Sequence, residues 1–180
     1  MKTKMLALGL AALAMFVEQT ATAATTVDGS ITVTPIGTLS LTLAATYYAF
    51  GNVDVGFSTN STTTQVLSNV GSVGATVQKS IVTDAAGWTS GQAAAANVYV
   101  LYAAATALSV GPGDAGFSNA GTKFANSSAL NNLTGTDGVT PTALAPTSGT
   151  INVWYRMDMP TTSSSQAART VTVRYTGTAQ

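Results

Sequence analysis

The side chains that ordinarily carry acid–base, nucleophilic and metal chemistry are almost absent from this chain. It has no histidine and no cysteine, and its one glutamate, Glu18, lies at the end of an N-terminal apolar stretch. A hydrolase triad therefore lacks its base, apart from serine–lysine variants. Lys79 and Lys123 are the only lysines beyond Lys2 and Lys4. Neither stands in a Ser-x-x-Lys motif, and Ser80, next to Lys79, points to the opposite face on any strand. Paired carboxylates for glycoside hydrolysis would have to come from Asp28, Asp54, Asp84, Asp114, Asp137 and Asp158. These are scattered, most of them beside Gly, Thr or Ala, where aspartate bonds its own backbone in a turn. No catalytic residue is expected, and the chain is not expected to be an enzyme.

Metal chemistry is equally poorly supplied. Zinc and copper lack their usual ligands. Calcium takes carboxylate and carbonyl oxygens, and residues 111–116 and 135–138 each offer one acid, Asp114 and Asp137, among glycines. Neither stretch has the Asp-x-Asp-x-Asp-Gly spacing, so turns without metal, and no cofactor, are expected there.

The elements that would have to position any site begin after a leader. Residues 1–23 have a basic start (Lys2, Lys4), an apolar run closed by Glu18, and small residues at Ala21 and Ala23. That is the layout of a secretory signal peptide, with cleavage expected between Ala23 and Ala24. The run is too short to span a bilayer and no later segment approaches that length, so no transmembrane segment is expected after cleavage. The implied location is secreted, extracellular or at the outer surface of a bacterial cell. Lys2, Lys4 and Glu18 leave with the leader, so seven basic and seven acidic residues fall to five and six. So sparse and balanced a charge set excludes a basic patch for nucleic acid. With no disulfide possible, the core must carry stability alone, and residues 24–180 suffice for a single domain.

Period-two alternation runs through that domain. Ile31 and Val33 share one face of residues 30–34, and Leu39, Leu41 and Leu43 share one face of 38–43. Residues 62–69 and 75–82 read as a pair joined by a hairpin at 70–74. Residues 97–103 are apolar on both faces, as in a strand covered on two sides. Ile151, Val153, Tyr155 and Met157 share a face of 150–159, and Val171, Val173 and Tyr175 one of 169–178, with 161–168 as a hairpin loop. Alanine-rich 90–96 and 103–107 suit at most a short helical turn. Residues 111–149 are the least regular, and an ordered excursion around Phe117, Phe124 and Leu130–Leu133 is expected there, since a long structureless loop is improbable in a compact domain. The prediction is all-β: an antiparallel immunoglobulin-like β-sandwich with a loop-rich insertion at about 83–149. Trp88 and Trp154 are its largest candidate anchors. Trp154 alternates against Ile151 and Val153, which puts it on the outer face, under a loop.

Two stretches resemble a family. Residues 48–56, with Phe50, Gly51, Val53, Val55 and Gly56, followed by 64–77, with Val66, Leu67, Asn69, Gly71, Ala75 and Val77, are similar to the opening of immunoglobulin-like domains of the Hydin and major-sperm-protein type. Residues 154–160 and 171–177 are similar to the last hairpin of the same sandwiches. The resemblance covers about half of the mature chain, and its glycines and valines serve turns and core. It implies a non-enzymatic extracytoplasmic scaffold or interaction domain.

The function expected is that of a non-catalytic structural subunit of a surface, matrix or fibre, a homo-oligomer or polymer with itself. The segment 24–34, through Ile31 and Val33, could lend a strand to a neighbour's open sheet edge. A chaperone–usher pilin is disfavoured by the missing penultimate aromatic at the C-terminus. The alternative is a module that binds carbohydrate or protein, with Trp88, Tyr99, Tyr102 and Trp154 stacking on sugar rings. Ile31, Val33, Trp88 and Trp154 are thus the candidate contact residues.

Overall fold

The computed structural model describes residues 30, 32–126, 129–136 and 143–180. The leader 1–23, its expected cleavage between Ala23 and Ala24, and the candidates Asp28, Ile31 and Asp137 lie outside the described residues. Among the described residues no helix is long and apolar enough to cross a membrane. The chain divides into two compact units, Met1–Pro35 and Ile36–Gln180. In the first, residues 30 and 32–35 belong to no strand and Val33 is 77% exposed. Alternation there is therefore not matched by a paired strand among the described residues; β-propensity without a neighbouring ladder does not hold one in water.

The second unit is all-β. Its strands are β1 (Leu41–Leu43), β2 (Ser58–Asn60), β3 (Gln65–Asn69), β4 (Ala75–Thr83), β5 (Thr89–Ser90), β6 (Val98–Thr106), β7 (Asn131–Asn132), β8 (Thr134–Gly135), β9 (Gly149–Asp158) and β10 (Thr172–Ala179). The larger sheet has the order β1-β3-β9-β6-β5, with β2 also beside β9 and β8 beside β6; the smaller is β10-β4-β7. Pairing is antiparallel except for the two-residue additions β5 and β8, which run parallel to β6. The sheets face each other across one core. Leu67, Tyr99, Leu101, Ala103, Ala105, Ile151, Val153 and Tyr155 come from the larger sheet, and Ala75, Val77 and Ile81 from the smaller, with Val171, Val173 and Tyr175 packed against them. The alternation in 150–159 and 169–178 thus predicts the inward rows correctly, because a half-buried strand must sort its side chains by face.

The central strand β6 is buried on both sides, as its sequence implies. A second cluster of Val100, Tyr102, Ala104, Phe117 and Trp154 covers its outer face. Residues 103–106 are strand, not a helical turn. Their small side chains let layers approach closely on both faces, and sheet pairing with β9 overrides alanine's helix preference. Within 83–149 the chain therefore supplies the middle of the larger sheet before its loop-rich part begins.

Two connections differ from the expected hairpins. Residues 70–74 do not return β4 alongside β3: β3 pairs with β1 and β9, and β4 pairs with β10 and β7. The turn is an arch between sheets, held by Asn69, whose Nδ2 donates to the carbonyls of Val73 and Leu144 while its Oδ1 accepts from Gly71 N. Likewise 161–168 carries the chain from β9 in one sheet to β10 in the other. Alternation fixes which face of a strand is apolar but not whether two such faces lie side by side or opposite each other.

Candidate functional site

Three places concentrate unusual chemistry. The first is Lys79. It occupies the inward row of β4 between Val77 and Ile81 and is fully buried. Its Nζ donates to the carbonyls of Gly121 (2.7 Å) and Asn132 (3.2 Å) and lies 5.6 Å from the centre of the Phe124 ring. Burial lowers the amine to about 7, since a charge removed from water is disfavoured. An amine near neutrality suits nucleophilic or base chemistry. Here the Phe124 ring and the two carbonyls enclose it, so substrate has no access and its role is to tie 120–135 to β4.

The second place is the outer face of β6 and β9. The Arg156 Nε donates to Asp158 at 2.8 Å, and its Nη1 reaches Asp114 at 3.2 Å. The Tyr102 hydroxyl donates to Asp158 (2.7 Å), and the Tyr102 ring lies near both the Arg156 guanidinium and Lys123 Nζ. Burial alone would raise the Asp158 carboxyl, but hydrogen bonds from Ser58, Tyr102 and Arg156 and the guanidinium's charge hold it below its ordinary value. Desolvation would likewise lower Arg156, and the two aspartates more than offset it. Both carboxylates thus serve one cation, which leaves no acid–base pair of the glycosidase kind. Trp154 is 5% exposed, its Nε1 donating to Thr106 Oγ1, with Gly111 lying against its ring. It lies on the outer face beneath a loop, as the alternation implies. Among the described residues no group of three acidic, histidine or cysteine side chains is placed to hold a metal.

The third place is a groove of about 1030 Å³ between the sheets on the β10 side. Residues 46–55, after β1, form one wall and 165–173, before and into β10, the other; Leu43, Trp88, Leu101, Tyr155, Met157 and Met159 lie between them. The first wall turns at Gly51 (φ 74°) and Gly56 (φ 78°), a backbone conformation that costs other residues sterically. Tyr48 stacks on Tyr155 at 6.2 Å and meets Phe50 edge-on at 5.0 Å. The Tyr155 hydroxyl donates to Gln65 Oε1 (2.6 Å) and accepts from Tyr175 (2.8 Å). Burial pushes the Tyr155 phenol up to about 12 and that of Tyr175 upward too, so both stay protonated at neutral pH. Arg169 bonds the Ala86 carbonyl and lies 5.5 Å from the Trp88 ring. None of these groups is poised to react. What the groove offers is apolar surface and main chain: among the described residues none of 45–55 or 166–171 donates a hydrogen bond to another main-chain carbonyl.

Trp88, Tyr99, Tyr102 and Trp154 are all at most 7% exposed. No pair of them forms the exposed stacking platform that sugar binding requires. Val33 is exposed, Ile31 lies outside the described residues, and Trp88 lines the groove. The groove's other contributors, Tyr48, Phe50, Met157, Met159 and Arg169, do not stand out in the sequence as site residues. The available signal is the apolar, aromatic run 47–57, which reads in sequence as a strand broken by glycines, whereas the structure places no strand between Leu43 and Ser58. No protein-family model, curated protein or solved structure matches this chain.

Proposed function

We propose that this chain is a non-catalytic structural subunit of an extracellular assembly, joined copy to copy by addition of the segment 24–34 of one molecule to the sandwich of the next. The observation that carries the reading is the groove. It is apolar and flanked by walls outside regular strand pairing, and β10 on its border pairs with β4 alone among the described residues. An edge of that kind templates an incoming strand through main-chain hydrogen bonds, and alternate pockets select its side chains. The segment 24–34 has the matching alternation, and its Val33 is 77% exposed. Burying an isoleucine and a valine contributes roughly 1.5–3 kcal/mol each. Sparse charge leaves little repulsion between neighbouring copies. The immunoglobulin-like resemblance in 48–56 and 64–77 agrees with a scaffold role; those residues build the groove wall, β3, the arch and the start of β4.

Negative-stain imaging and sizing of exported, concentrated protein test the proposal. Ordered polymers are expected, lost on Val33→Asp while the monomer's unfolding midpoint is unchanged. Single particles at every concentration overturn it. Mass spectrometry of the exported N-terminus tests cleavage before Ala24. The alternative carbohydrate-binding reading finds no exposed pair among Trp88, Tyr99, Tyr102 and Trp154 in its favour.

A further inference from the structure

Resting on that reading of the groove, we propose that the incoming strand pairs antiparallel to β10 in one register, with Asp28 of one copy opposite Arg174 of the next. Asp28 is the only charged residue in 24–34 and Arg174 the only one in β10. Arg174 is exposed and makes no ion pair among the described residues. Setting the two opposite each other fixes every other pair, because side chains directly across a ladder share a face. In the antiparallel sense Ile31 falls beside Val171 and Val33 beside Arg169, whose guanidinium is held by the Ala86 carbonyl and the Trp88 ring, with Met157 and Met159 on the floor. Gly29 meets Val173, and Ser30 meets Thr172 on the outer face. In the parallel sense Ile31 would fall beside Gly177. A Cβ there would already lie 2.9 Å from Leu41 and 3.3 Å from Leu39, so that end of the inner face is filled.

The antiparallel sense also names the donor as a second copy. The chain's own Gly37 lies against Val73, and Thr38 N donates to Ser72 Oγ, so the N-terminal segment enters at the arch. Gln180 N donates to Gly74 O, which puts the C-terminal end of β10 at the same place. Four residue-to-residue steps lead from Val33 to Gly37 and span at most about 14 Å. The run from Thr172 to Ala179 alone covers about 23 Å at roughly 3.3 Å per residue. A link of that length is shorter than β10 itself, so the antiparallel strand is supplied by a second copy.

The absence of cysteine makes the register directly readable. Full-length chain carrying Ser30→Cys is mixed with chain carrying Thr172→Cys, assembled, oxidised mildly and mapped by mass spectrometry of linked peptides. Ser30→Cys mixed with Thr176→Cys reports the parallel sense. The expected result is an intermolecular 30–172 disulfide at about ten times the yield of 30–176. Dominance of 30–176, or polymers in which neither forms, overturns the register and leaves the strand-addition reading standing. Chains that stay monomeric overturn both. Charge exchange gives an independent readout: Asp28→Arg should weaken assembly about fivefold, and Asp28→Arg with Arg174→Asp should restore it. Equal assembly of the single and double variants overturns the pairing.

Discussion

Of the two lateral sides of the sandwich, one is closed and the other open. On the β6 side the chain crosses between sheets through β7 and β8, and its main chain bonds to both. Leu133 N donates to Val77 O on β4, while Phe124 N and Thr136 N donate to Leu101 O and Ala105 O on β6. Phe124 and Leu133 are buried beneath, and the Lys79 amine ties the crossing down. On the β10 side residues 45–55 and 166–171 make no such ladder, and the space between them is the groove. What separates the sides is where main-chain donors find partners. A crossing segment that bonds both sheets excludes solvent, and one that bonds neither leaves a cleft.

The sharpest way to break this contrast is to truncate one aromatic ring on each side. Phe124→Ala should cost about 3–5 kcal/mol, the usual range for a buried phenylalanine. Phe50→Ala, on the half-open wall, should cost about 1 kcal/mol. Urea unfolding measures both, and equal losses would show the groove side to be as tightly packed as the closed side.

A second test uses pH. The Lys79 amine titrates near 7 in the fold against 10.5 when free, so between those values the unfolded chain binds more protons and stability rises with pH. The climb from pH 7 to 9.5 should be on the order of 3 kcal/mol. Above about 10 the sign reverses. Tyr155 and Tyr175 keep their protons in the fold while unfolded tyrosines lose theirs. Lys79→Met should flatten the climb and leave the alkaline fall, read from urea midpoints across pH. A climb that survives the substitution would remove Lys79 as its cause.

The smallest effect is expected at the groove's lip. Tyr47 is 72% exposed, so Tyr47→Ala should change the thermal midpoint of the monomer by less than the equivalent of about 0.5 kcal/mol. A larger loss would mean that this wall is held by contacts beyond its exposure.

Much of this was legible in the residues. The lack of histidine and cysteine, with Glu18 as the one glutamate, narrows the reactive groups before any folding. The rows Ile151-Val153-Tyr155 and Val171-Val173-Tyr175 face the core as their spacing requires, and Trp154 lies under its loop. Phe117, Phe124 and Leu133 of the expected excursion are buried, although Leu130 is 51% exposed. Lys79 was visible as a lysine, but not as a buried one: its two carbonyl partners come from residues 42 and 53 positions away. The groove was not legible because its floor and walls come from six separate stretches.

By itself the sequence determined that this is a β-protein, which face of each long strand is apolar, and that few groups could react. Those properties follow from side-chain type and a two-residue period, both local. Only the tertiary structure decided that the turn 70–74 is an arch, that β9 lies between β3 and β6, and that one lateral side closes while the other stays open. Strand neighbours are chosen by main-chain hydrogen bonds between residues distant in the chain, and every residue but proline carries the same donor and acceptor. The pattern that selects a face therefore says nothing about which strand will lie beside it.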